Sequence, residues 1–203
     1  RIKKITRDFV GDASEAIECN SHYYKLAVVS GQEEEYKIYA GEKAGLKISK
    51  HTYYNEKNNF LDFDNMINDL NKLKSGDSLL LHGCCHNPTG ADLNTDQWEE
   101  VAKICKKNGI VPFIDLVYQG LGRGVDEDVL GIRKLVKIVP EVIITISSSK
   151  TFGVYRDRCG LIAIITDSNK VQSESLETML SEIARELYFH PPDPVSYTHL
   201  RAH

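Results

Sequence analysis

Lys150 stands in the run Ser147-Ser148-Ser149-Lys150-Thr151-Phe152-Gly153-Val154-Tyr155-Arg156-Asp157-Arg158. A lysine amine beside small hydroxyl residues, with an arginine further on at Arg158, suits an aldehyde cofactor that carries a phosphate. The amine can form a Schiff base with the aldehyde, while the hydroxyls and the guanidinium hold the phosphate. Two more runs end in groups able to do chemistry. Leu79-Leu80-Leu81-His82 leads into Gly83-Cys84-Cys85-His86-Asn87-Pro88-Thr89-Gly90, and Val111-Pro112-Phe113-Ile114 ends in Asp115-Leu116-Val117-Tyr118.

What must position these groups is a set of buried strands. The apolar runs 79–81, 111–114 and 142–146 each read as a strand that delivers polar residues at its carboxyl end, where open α/β sheets bind ligands. Pro88 and Gly90 mark a turn after the first run. If the three strands lie parallel in one sheet, Asn87, Asp115, Tyr118, Lys150 and Arg158 converge on one edge. Between the strands, 63–74 has apolar residues at helical spacing (Phe63, Met66, Ile67, Leu70, Leu73), and Thr95 is the expected N-cap of a helix with Trp98, Val101, Ala102 and Cys105 on one face. Gly109 is the expected stop of that helix. Helices are also expected over 126–139 and 168–187, and a strand over 160–166. Strands alternating with helices predict an α/β fold, a mostly parallel sheet with helices on both faces.

The three runs, taken together and in this order, resemble the class I aminotransferases, which are fold type I pyridoxal-phosphate enzymes, and within them the aspartate and aromatic amino-acid branch. The resemblance extends from about Tyr36 to about Asp193. It implies the partial large domain of a fold type I transferase, with pyridoxal 5'-phosphate as cofactor. It also implies amino-acid and 2-oxo-acid substrates in ping-pong transamination (aspartate or an aromatic amino acid with 2-oxoglutarate), and a homodimeric parent. By resemblance, Lys150 is the Schiff-base lysine and general base, and Asp115 pairs with the protonated pyridine nitrogen. Asn87 and Tyr118 hydrogen-bond the phenolic oxygen of the ring, and Ser147, Ser149 and Arg158 bind the phosphate. His86 corresponds to a residue behind the ring, and His82 to a neighbour of Asp115.

Each residue has a plainer alternative. Lys150 could be a solvated loop residue, Asp115 a helix cap, Asn87 a turn former, Tyr118 a packed aromatic and Arg158 an ion-pair partner of Asp157. For the whole chain the alternatives are an inactive, truncated cofactor-binding domain, or another fold type I enzyme such as a decarboxylase or lyase.

The 203 residues, 41% of them hydrophobic, suffice for one α/β domain with a real core. A formal charge of −4 argues against nucleic-acid binding, and no apolar run has the length of a membrane span. No signal peptide is expected at the start. The cysteines (Cys19, Cys84, Cys85, Cys105 and Cys159) are odd in number and lack framework spacing, which points to a reducing, cytoplasmic compartment. A zinc site from Cys84, Cys85, His82 and His86 fits no common spacing, so no metal is expected.

Three segments are expected along the chain. Residues 1–35 match the family poorly: Ser30-Gly31 resembles the start of its phosphate loop, but Gln32-Glu33-Glu34-Glu35 follows, as though roughly thirty residues, including the aromatic that stacks on the cofactor, had been deleted. Residues 36–193 form the cofactor-binding domain. Residues 194–203, from Pro194, read as a non-native tail translated from a sequencing adapter. The family's N-terminal arm, C-terminal small domain and both substrate-binding arginines are expected to lie outside this sequence.

Overall fold

Leu79, Leu80 and Leu81 are all fully buried, although successive residues of a strand face opposite sides of the sheet. Both faces at this strand are therefore covered, as in the middle of a parallel α/β sheet. The computed structural model describes residues 3–5, 25–29, 41–42, 45–155, 157, 159–167 and 173–187.

The strands are β1 (Lys3–Ile5), β2 (Lys25–Val29), β3 (Ser49–His51), β4 (Tyr54–Asn55), β5 (Phe60–Leu61), β6 (Asp77–His82), β7 (Val111–Leu116), β8 (Val142–Ser147) and β9 (Gly160–Ile165). The helices are α1 (Phe63–Leu70), α2 (Thr95–Asn108), α3 (Leu130–Ile138), the single turn α4 (Ser148–Thr151) and α5 (Ser173–Leu187). Seven strands form one sheet in the order β1-β9-β8-β7-β6-β2-β3, and β4 pairs with β5 in a small hairpin. The pairings β3–β2, β2–β6, β6–β7 and β7–β8 are parallel, whereas β9 runs antiparallel to both β8 and β1. The mostly parallel sheet is thus as expected, and its reversal lies at β9. Two of its strands, β1 and β2, come from the first thirty-five residues.

Helix boundaries differ from expectation in ways that capping explains. Asn94, not Thr95, is the N-cap of α2: its side chain accepts from the Asp96 and Gln97 amides, and Gln97 reaches back to the Asn94 amide to complete a capping box. Gly109 does close the helix, in the left-handed conformation that glycine adopts without strain. Helix α1 stops at Leu70, and Asn71 to Leu73 continue as turns. The stretch expected as a helix over 126–139 starts as a 3-10 turn, Glu127–Val129, before α3.

Met66 and Leu70 of α1, Trp98, Val101 and Cys105 of α2, and Ile132 and Leu135 of α3 join Leu79, Leu81 and Ile114 of the sheet in one core. Burying a side chain of this size is worth about 1.5–3 kcal/mol. Helices α2 and α3 meet where Gly131 lies against the Trp98 ring, so closely that a Cβ at 131 would overlap it. Trp98 is therefore a core residue.

Candidate active site

Strands β6, β7 and β8 lie side by side and parallel, so their carboxyl ends open on one edge. Asp115 is the Cα partner of His82 on one side and of Thr145 on the other. The chain beyond these ends carries Asn87, Tyr118 and Lys150, as the sequence reading expected of one edge. Arg158 lies outside the described residues, as do the segment around Gln32 and the tail from Pro194.

The loop after β6 is held from both ends. The Gly83 amide donates to the Asp115 carbonyl at 2.8 Å, and the carboxylate of Asp92 accepts from the Cys85 and His86 amides, both at 2.8 Å. Asp92 thereby secures Cys85, whose φ of 50° lies in the left-handed region that non-glycine residues avoid. Gly90, at φ 67°, turns the chain back, and its amide donates to the His86 carbonyl. The Asn87–Pro88 peptide is cis. The Asn87 amide donates to His82 Nδ1 at 3.2 Å, so a neutral His82 carries its proton on Nε2.

Behind this loop the rings stack. His86 is buried and stacks on Tyr53, with ring centroids 4.1 Å apart and planes at 25°, while His82 is tilted 4.8 Å away. His86 Nδ1 meets Thr89 Oγ1 at 2.7 Å, and the Tyr53 hydroxyl donates to the Ala91 carbonyl at 2.6 Å. Burial pushes the Tyr53 phenol well above its ordinary range, which keeps it a neutral donor.

Tyr118 starts the glycine-rich loop after β7. The buried carboxylate of Asp128 accepts from the Gly120, Gly122 and Arg123 amides at 2.9, 3.1 and 2.7 Å. Burial by itself would raise the Asp128 pKa, but these backbone donors outweigh it and hold the carboxyl below the usual range.

Lys150 is half-buried on α4, which Ser147 caps by accepting from the Ser149 amide at 3.2 Å. Its Nζ sits 4.8 Å from the centroid of the Tyr155 ring. Ser149 is buried, and Thr151 donates to the Gln119 carbonyl at 2.9 Å. The sequence reading missed Tyr53, Asp92, Asp128 and Thr151. Only the two aspartates left a signal, each following a glycine-bearing turn whose amides need an acceptor.

Cys84, Cys85, Cys105 and Cys159 are free thiols. Burial raises the pKa of Cys84 and Cys85 and pushes Cys105 up to about 12. Among the described residues, the donors within 4.8 Å of one another are Cys84, Cys85 and Asp128, without the two histidines. The Asp128 oxygens already serve three amides, and burial favours the protonated form of the two thiols.

The edge therefore combines an amine, a carboxylate, a phenol, an amide and two serines on three adjacent strand ends. That donor set fits an aromatic aldehyde bearing a basic ring nitrogen, a phenolic oxygen and a phosphate.

The chain belongs to the class I and II aminotransferase family, whose sequence profile matches residues 38–202. It is 44% identical over 149 residues to the aromatic-amino-acid aminotransferase of Paracoccus denitrificans, covering 73% of this chain and 37% of that protein. It is 39% identical to the aspartate aminotransferase of Escherichia coli strain K12, with the same shares covered. In three dimensions it is similar to the crystal structure of the aromatic-amino-acid aminotransferase of Burkholderia pseudomallei, covalently bound to pyridoxal phosphate. That likeness has a TM-score of 0.80 and 32% identity, and covers 89% of this chain and 45% of the other. The chain thus spans 37% of the length of the two curated relatives and 45% of the crystallised one.

Proposed function

We propose that the edge of β6, β7 and β8 binds pyridoxal 5'-phosphate, and that the protein exchanges amino groups between an amino acid and a 2-oxo acid. The observation that carries this reading is the side-by-side, parallel placement of three strands whose ends bear Asp115, Lys150 and the loops of Asn87 and Tyr118. When bound, the cofactor supplies a cationic ring that draws electrons from the substrate carbon next to nitrogen. Asp115 holds the proton on the ring nitrogen, with His82 orienting the carboxylate. Tyr118 and Asn87 donate to the ring oxygen. Ser147, Ser149 and Arg158 bind the phosphate. Lys150 would hold the aldehyde carbon and, as a free amine, would move a proton between substrate Cα and cofactor C4′.

The names of the relatives support aspartate or an aromatic amino acid as donor, and the proposed acceptor is 2-oxoglutarate. The protein works as a homodimer in the cytoplasm. The odd number of cysteines without framework spacing supports that compartment. Among the described residues no helix is long and apolar enough to cross a membrane. The 36–193 segment is the part of the cofactor-binding unit that resembles the family, and β1 and β2, from before it, complete the same sheet. The stretch from Pro194 is read as foreign to it, although the family profile runs on to residue 202.

The test is the absorbance spectrum of the protein mixed with pyridoxal phosphate, repeated for Lys150→Ala. A band at roughly 360–430 nm that the substitution abolishes is expected of a lysine Schiff base, and aspartate or tyrosine should then bleach it. No Lys150-dependent band would overturn the reading.

A further inference from the structure

Lys150 and Tyr118 must serve one ring. The aldehyde that a lysine captures and the phenolic oxygen that a tyrosine hydrogen-bonds sit on neighbouring ring atoms of pyridoxal phosphate. The amine and the phenol must therefore keep a fixed separation, although they come from different strands. We propose that Thr151 is the positioning residue that sets this separation, latching the Lys150 turn to the backbone on either side of Tyr118. The inference rests on the cofactor reading above.

Thr151 follows Lys150 directly and ends α4. Its hydroxyl reaches the Gln119 carbonyl at 2.9 Å and the Val117 carbonyl at 3.5 Å, the two that flank Tyr118. One hydroxyl has one proton, so the shorter contact to Gln119 dominates and the longer one is a weak second branch. The Tyr118 carbonyl accepts from the Leu121 amide at 3.0 Å, and the Gln119 side chain donates to the Val125 carbonyl at 2.9 Å. Tyr118 is thus anchored from within its own loop, and Thr151 ties that loop to the neighbouring strand end.

The Lys150 turn needs such a tie. A single helical turn has little cooperative stability of its own. Beyond it, Phe152 is 75% exposed, and Gly153 leaves the turn in the left-handed region at φ 67°. Valine has the shape of threonine without the donor, so Thr151→Val removes the latch and leaves the packing, and Thr151→Ser restores the donor.

The experiment titrates the full chain with pyridoxal phosphate for wild type, Thr151→Val and Thr151→Ser, and follows amide exchange of 117–121 in the cofactor-free protein. Expected are about fivefold weaker cofactor binding in Thr151→Val, the equivalent of one hydrogen bond, faster exchange of 117–121, and near wild-type values for Thr151→Ser. A wild-type band that depends on Lys150, with Thr151→Val matching wild type in affinity and exchange, overturns the latch and leaves the cofactor reading standing. Absence of that band in wild type overturns the cofactor reading, and the latch with it.

Discussion

His82 and Asp115 are direct Cα partners on adjacent parallel strands, and the same histidine accepts the Asn87 amide at Nδ1. One imidazole thus links the carboxylate strand to the loop that carries the amide. His82→Ala should cost about 1 kcal/mol of stability and weaken cofactor binding several-fold. His82→Asn, whose side-chain oxygen can stand in for Nδ1, should recover the stability but not all of the affinity. Thermal melts and cofactor titrations of both variants check this; equal stability of the two would remove the structural half of the argument.

Asp115→Asn keeps shape and removes charge. The Lys150-dependent band should still form, because Lys150 is untouched. Turnover by the whole protein should fall by about 30- to 150-fold, on the scale of a lost charge-assisted hydrogen bond of about 2–3 kcal/mol. Single-turnover kinetics with aspartate would measure it, and a loss below tenfold would argue that Asp115 does not hold the ring nitrogen.

Asp128 should make the loop after Tyr118 acid-sensitive. Its pKa is depressed in the folded protein, so its contribution is complete above the ordinary carboxylate range, near pH 4, and is lost as pH falls through the folded value. Asp128→Asn should cost about 2 kcal/mol at neutral pH and flatten the acid limb of the stability curve. Urea midpoints between neutral pH and pH 3 test this, and parallel curves for the two proteins would contradict it.

Gly131→Ala sets two effects against each other. Alanine gains up to about 1 kcal/mol in a helix, but its Cβ would overlap the rigid Trp98 ring, and such overpacking costs about 1–3 kcal/mol. The overlap should win, giving net destabilisation. Trp98→Leu in the same chain should recover part of the overpacking loss, and a double-mutant cycle without coupling would show that the helices adjust freely.

Much of the fold was legible because burial writes itself into composition. Continuous apolar runs such as 79–81 and 111–114 mark strands covered on both faces, and the helical spacing of Trp98, Val101 and Cys105 marks a core-facing helix. The α2 cap was misread by one residue because Asn94 and Thr95 are both good caps. The choice went to Asn94, which can complete the reciprocal bond with Gln97 three residues on.

The sequence by itself determined which side chains can do chemistry: Lys150, Asp115, Tyr118, Asn87 and the serines stand out as motifs at strand ends, and their family with them. Tertiary structure alone decided which strands are neighbours, that His82 faces Asp115 across the ladder, and that Thr151 ties the lysine turn to the tyrosine loop. Such contacts join residues some thirty positions apart. Local patterning records the solvent exposure and backbone angles of each residue, while a hydrogen bond across the sheet depends on the register between two separate segments.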